Sequence, residues 1–214
     1  MFKFSQKLCV IISFLVLAGC SSTYYSAMEK VGIHKRDIMV DRVVDGKQSQ
    51  QAAQAQFKYA LAEMTALTNF DGGDLETQYN VIEEQYKDSK DAAEHVSSRI
   101  EKIEDVAYAL FEEWQDEIEQ ISSTNLKRQS LIKLTETQRR YQSLIKSMRK
   151  AESKMAPVLS ALKDNSLFLK HNLNAKAVGA LQSEMVSIKK NVSALIKDMN
   201  VAIEQSQKFI ELLE

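Results

Sequence analysis

Residues 75–121 read LETQYNVIEEQYKDSKDAAEHVSSRIEKIEDVAYALFEEWQDEIEQI. Within this stretch Leu75, Ile82, Ser89, Val96, Ile103, Leu110 and Glu117 recur every seventh position, and so do Tyr79, Tyr86, Ala93, Ile100, Ala107, Trp114 and Ile121. The two series interleave at steps of four and three, and only Ser89 and Glu117 are polar. A 3.5-residue repeat keeps one apolar seam facing partner helices along a left-handed supercoil. At 1.5 Å per residue the helix is about 70 Å long. The stretch therefore sets the class: long helices packed side by side.

The pattern continues outward. Downstream, Leu131, Leu134, Gln138, Tyr141, Ile145, Met148, Glu152, Met155, Leu159, Leu162 and Leu169 form a second series. A third runs Val178, Leu181, Met185, Ile188, Val192, Leu195, Met199, Ala202, Ser206, Phe209, Leu213. Upstream, Met39, Val43, Ala53, Phe57, Ala60, Met64 and Leu67 share a face, diluted by Gly46, Gln48, Gln50 and Gln51. A bend is expected near Asp45-Gly46. Three stops separate the segments: Asn69-Phe70-Asp71-Gly72-Gly73-Asp74, with Asp74 as an N-cap; Ser122-Ser123-Thr124-Asn125; and His171-Asn172-Leu173-Asn174. Helices are expected at about 26–68, 75–121, 126–170 and 176–213. Short links make neighbours antiparallel, so the expected fold is all-α: one elongated up-down bundle of about four long helices over 26–214. Pro157 falls inside the third helix and should kink or split it. Trp114 and the tyrosines fall mostly on the seams and read as core.

Composition agrees. One proline and six glycines in 214 residues leave too few corners for a sandwich, barrel or propeller. A hydrophobic content of 44% argues against wholesale disorder, and a formal charge of -1 against a dedicated nucleic-acid binder. That near-neutral total hides a contrast. Residues 75–121 hold fourteen acidic side chains against four basic, whereas residues 126–164 hold ten basic against three acidic. The two segments are expected to pack together, with charge selecting the neighbour as it does in coiled coils.

The N-terminus reads as an address. Lys3 and Lys7 precede an apolar run from Leu8 to Leu17, which is too short to span a bilayer and fits a secretory signal. The run ends Leu17-Ala18-Gly19-Cys20, followed by Ser21, and this resembles the bacterial lipobox. The resemblance implies cleavage between Gly19 and Cys20, removal of residues 1–19, and a diacylglycerol thioether and N-acyl chain on Cys20. Three acyl chains give stable anchoring. Residues 20–25 would then form a lipidated tether. Ser21, where an aspartate would favour the inner membrane, implies the outer membrane with the bundle in the periplasm. Cleavage also discards Cys9, leaving no free thiol for a disulfide, nucleophile or metal site.

Taken whole, the chain resembles a family of uncharacterised coiled-coil lipoproteins of Gram-negative bacteria, grouped as a domain of unknown function. The resemblance rests on Leu17-Ala18-Gly19-Cys20, the opening Tyr24-Tyr25-Ser26-Ala27-Met28-Glu29-Lys30 and the helical remainder. It implies no catalytic residues.

The residues themselves carry little catalytic chemistry. His34, His95 and His171 are scattered and form no HExxH pattern, so no metal site is expected. Glu83-Glu84, Glu104-Asp105 and Glu112-Glu113 are adjacent pairs pointing about 100° apart on a helix, a solvated face rather than acid–base dyads. Gly46-Lys47 is followed by Gln48 and preceded by Asp41 where a phosphate loop needs glycine. Two features read as contact surfaces. Tyr24, Tyr25, His34, Lys35 and Arg36 lie just beyond Cys20 and suit phospholipid head groups, although a plain tether and first helical turns are favoured. Arg139-Arg140 and Arg149-Lys150 suit anionic polymer, although pairing with the acidic helix is favoured.

The functional expectation is a non-enzymatic, membrane-anchored envelope lipoprotein. It would act as a coiled-coil spacer, adaptor or regulator for a periplasmic protein partner, with no cofactor beyond the lipid on Cys20. The alternative is a periplasmic carrier or chaperone-like bundle holding lipid or an unfolded client, with seam methionines allowing repacking. No nucleic-acid partner is expected, and self-association is compatible with both readings.

Overall fold

The computed structural model describes residues 20–68 and 74–214. The expected signal peptide, including Gly19, and the Asn69–Gly73 part of the first stop lie outside the described residues. All regular structure among the described residues is helical: α1 (Cys20–Lys30), α2 (Lys35–Thr68), α3 (Leu75–Gln120), α4 (Thr124–His171) and α5 (Ala175–Leu213). Helix α2 packs on α3, α3 on α4, α4 on α5, and α5 returns to α2, closing a ring. Cross-helix partners run in opposite directions along each pair. Asp45 meets Arg99 while Gln56 meets Gln85, and Lys47 meets Gln207 while Gln54 meets Asn200. The four long helices are thus antiparallel to their neighbours.

Among the described residues there are five helices, not four, because residues 26–68 do not form one rod. The chain turns at Gly32, which has φ of +82°. Ile33 N–H donates to the Met28 carbonyl at 3.0 Å and Gly32 N–H to the Glu29 carbonyl at 2.9 Å. These are the paired bonds of a Schellman motif, whose left-handed position suits a residue without Cβ. On the far side, the Asp37 carboxylate accepts from the His34 backbone N–H at 3.4 Å, and α2 begins. Residues 20–25, expected as a tether, are the opening turns of α1, and Tyr25 is buried.

The other boundaries follow their capping chemistry. Asp74 accepts from Glu76 N–H at 3.0 Å, and Ser123 accepts from Leu126 N–H at 3.4 Å. Asn172 closes α4, donating its backbone N–H to the Leu169 carbonyl and its amide Nδ2 to the Phe168 carbonyl. The last carbonyl of α2, on Thr68, accepts from Gln182 Nε2 of α5 at 2.7 Å. Each contact occupies a backbone group that a helix end leaves unpaired.

The core is a set of seams at alternating steps of four and three. In α5 the buried positions run from Val178 to Leu213 as expected. In α3 Leu75, Tyr79 and Tyr86 are only half-buried, with Gln85 taking the place of Tyr86. The seam otherwise holds from Ile82 to Leu110, then ends on Ile118, with Glu117 exposed and Trp114 half-buried. In α4 one expected series is buried, but the other lies one residue earlier. Thr137, Leu144, Ala151 and Val158 occupy the seam, and Gln138, Ile145, Glu152 and Leu159 flank it. Leu131 is exposed.

Gly46 and Gln50 sit in the α2 seam itself, between Val43 and Ala53. Helix α2 continues without a break through Gly46, where an added Cβ would stand 2.8 Å from Ile103 Cδ1 and 3.4 Å from Met148 Cε. Glycine here permits close approach of three helices. Helix α4 likewise runs unbroken through Pro157. Proline removes the donor to the Ser153 carbonyl, yet both residues are exposed, so water can take that bond, while Met155 and Val158 keep the helix gripped.

Gln50 is fully buried, and neither its Nε2 nor its Oε1 meets a hydrogen-bond partner. An unpaired buried amide costs about 1–3 kcal/mol, whereas an apolar side chain of similar shape carries no such penalty. Gln50→Met is expected to raise the denaturant midpoint, equivalent to about 1–3 kcal/mol, with the slope unchanged. Equilibrium urea unfolding followed by circular dichroism measures both quantities.

Candidate functional site: the docked first helix

The expected contact residues divide sharply once placed. Tyr24 is 42% exposed and its ring meets that of Tyr25 edge-on at 5.3 Å. His34 and Arg36 are exposed, and Arg36 pairs loosely with Asp37 at 3.4 Å. Tyr25 and Lys35 face the protein instead. The Tyr25 hydroxyl donates to Asp105 Oδ2 of α3 at 2.6 Å, with only 4% of the residue exposed. Lys35 Nζ donates to Glu113 Oε1 of α3 at 2.7 Å and also to Glu29 of α1. One ammonium thus bridges α1 and α3 from the first residue of α2.

Sequence reasoning selected Tyr25 and Lys35 but not their partners Glu29, Asp105 and Glu113. The missed signal was Gly32. A glycine eight residues before Val40 reads as a helix stop, and a stop there folds α1 back against its neighbours.

Electrostatics follow the burial. Hydrogen bonding from Lys35 holds the Glu29 carboxyl below its ordinary range. Burial raises that of Glu113, against the pull of Lys35. Burial alone would lower the Lys35 ammonium, but its bonds to Glu113 and Glu29 outweigh this and hold it above its usual value. Burial and the Asp105 carboxylate push the Tyr25 phenol well up. Deeper in the core, Tyr141 packs between Phe111 and Phe209 at ring distances of 5.4 and 6.4 Å. Burial, helped by the Glu104 carboxylate, pushes its phenol up to about 12.

The acidic α3 and basic α4 are neighbours, as expected. The ion pair joining them is Glu104–Arg149, with Arg149 Nε donating to Oε1 at 3.2 Å. Arg149 also holds Glu152, and Lys150 reaches Asp198 of α5 at 2.8 Å. Arg139, Arg140, Lys146, Lys154 and Lys163 are exposed. Most of the basic charge of α4 therefore points to solvent, while adjacency is set by the seam.

Two of the grooves on the described surface bear on binding. Between α4 and α5 lies one of about 690 Å³, lined by Pro157, Ala161, Asn165, Phe168, Leu181 and Ile188, with Asn165 Oδ1 buried and unpaired. At the end where α1 turns into α2, His34, Arg36, Trp114 and Lys133 border a groove of about 670 Å³. His95 lies on the α2–α3 flank and His171 at the opposite end of α4, so the three histidines do not converge. No group of histidine, cysteine, aspartate and glutamate suited to a metal ion occurs among the described residues. No described helix is long and apolar enough to cross a membrane.

The family model described as "protein of unknown function (DUF2959)" matches residues 24–213. The chain belongs to this family. The match begins at Tyr24, so it takes in the Tyr25 contact, the Lys35 bridge and all four long helices of this DUF2959 chain. No curated protein matches it significantly.

Two outcomes follow from the docked helix. Lys35→Met leaves Glu29 and Glu113 facing each other without a cation and is expected to cost about 1–3 kcal/mol at neutral pH. The loss should shrink as pH falls through the carboxylate range and one carboxyl takes up a proton, as thermal melts across that range will show. At the alkaline end, Tyr25 and Tyr141 remain protonated in the fold after unfolded tyrosine, ordinary pKa 10.0, has ionised. Their contribution is complete below pH 10.0 and is lost as pH rises above it. Tyr25→Phe with Tyr141→Phe should flatten the fall in melting temperature above that point.

Proposed function

We propose that this protein is a lipid-anchored, non-enzymatic component of the cell envelope. Its helical bundle acts as spacer, adaptor or regulator for a periplasmic protein partner, and the reading places it at the outer membrane facing the periplasm. The observation that carries this reading is the lipobox-like Leu17-Ala18-Gly19-Cys20 behind a short basic and apolar leader, with the bundle following closely. Cys20 precedes by five residues Tyr25, whose buried side chain bonds Asp105 of α3. The extended faces of α3 and α4, one acidic and one basic, suit protein contact along a rod better than they suit turnover of a small molecule. Self-association through these faces is compatible with the same role.

Metabolic labelling with a clickable palmitate analogue tests the anchor. The wild type should label and sediment with membranes, while Cys20→Ser should lose the label and appear in the soluble fraction. Failure of the wild type to label would overturn the reading.

The α4–α5 groove favours a second reading, a carrier for lipid or an unfolded client. Its floor combines Phe168, Leu181 and Ile188 with the unpaired Asn165 carbonyl oxygen. Lipid extracted at constant stoichiometry from the purified bundle without Cys20 would support that reading. Its absence from repeated preparations would remove it.

A further inference from the structure

Helix α1 does not extend the rod; it doubles back beside it. Tyr25 meets Asp105, and Glu29 shares Lys35 with Glu113, so the numbering of α1 and α3 rises together. Helix α1 therefore runs parallel to α3, and its N-terminus points toward the middle of the bundle. Cys20 precedes Tyr25 by five residues, about 7.5 Å of helix, which places it level with about position 100 of α3. From that level the Gln120 end of α3 lies about 30 Å away and the Leu75 end about 37 Å. Cys20 to Lys30 is continuous helix, so no irregular segment intervenes between a lipid on Cys20 and the docked Tyr25.

A bilayer that holds acyl chains on Cys20 must then come close to the middle of one flank. An upright bundle standing on either end would put Cys20 tens of ångströms above the head groups, out of reach of a glyceryl thioether. We infer that the bundle, anchored as proposed above, lies along the membrane surface, with its α2–α3 flank toward the head groups and its α4–α5 edge turned away. Docking of α1 through Tyr25 is the latch that holds it so. The exposed basic residues Lys150 and Lys154 then face the space beyond the membrane. The flank itself carries Asp88 and Asp91, which anionic head groups disfavour, so anchor geometry and not charge sets the orientation. Releasing α1 changes the picture. Residues 20–34, once extended, reach about 50 Å, farther than either end of the bundle, and the rod is free to stand.

The inference rests on the lipid-anchor reading, and its test separates the two. Full-length acylated protein is reconstituted in phosphatidylcholine vesicles containing nitroxide head-group lipid, with acylation checked by intact mass. A chain without acyl mass overturns the anchor reading before orientation is measured. Single cysteines carry a fluorophore at Gln48→Cys and Asp91→Cys on the flank, Lys154→Cys and Ala194→Cys on the opposite edge, and Asn125→Cys and Lys170→Cys at the two ends. Quenching on the flank should exceed that on the opposite edge several-fold, with the two ends matched. Strong quenching at one end alone, or equal quenching on flank and edge, overturns the side-on orientation. Tyr25→Ala should even out the pattern, and Tyr25→Phe, which keeps the ring and removes the hydrogen bond, should shift it partway. A flank pattern that survives both substitutions overturns the latch.

Discussion

Everything in this molecule depends on seams of apolar and small residues spaced alternately four and three apart, which each long helix must share with two neighbours. Burying one large aliphatic or aromatic side chain contributes about 1.5–3 kcal/mol, whereas an exposed ion pair contributes about 0–1 kcal/mol. The acidic character of α3 and the basic character of α4 therefore tune a ring that the seams have already closed. The single direct bridge described between them, Glu104–Arg149, fits that order of importance. Gly46 shows how strict the seam is. Three helices converge closely enough there that a methyl group would press on Ile103, and the glycine is kept inside a helix despite its unfavourable propensity.

Where the seam residues are large and apolar, the sequence alone reads correctly. Helix α5 matches position for position, and α3 departs in its first and last turns and at Tyr86, where Gln85 is buried instead. Helix α4 misleads because its true seam alternates with small or polar residues, Thr137 and Ala151, while Ile145 and Leu159 stand one residue later on the flank. A hydrophobicity count prefers the larger side chain, but closely packed neighbours prefer the smaller. Helix α2 misleads for the same reason: Gly46 and Gln50 look like dilution of a face whose centre they occupy.

The candidate site was half legible. Tyr24, Tyr25, His34, Lys35 and Arg36 stood out as aromatic and basic residues near a lipobox-like stretch, and composition gave no way to sort the inward-facing from the outward-facing. That sorting depends on the turn at Gly32, one local backbone event which sends Tyr25 to Asp105 and Lys35 to Glu113. Long-range partners of this kind, 80 and 78 residues away, leave no trace in local periodicity.

The fold-back of α1 also reverses the order in which the molecule is finished. Chains emerge from synthesis N-terminus first, and nearby segments ordinarily find each other first. Yet the groove that receives Tyr25 is made from α2 and α3, so α1 has no place to lie until Asp105 and Glu113 have followed it. Helix α1 thus settles after α2 and α3. Any factor that handles the chain before α3 is in place meets α1 while its aromatic side is still uncovered.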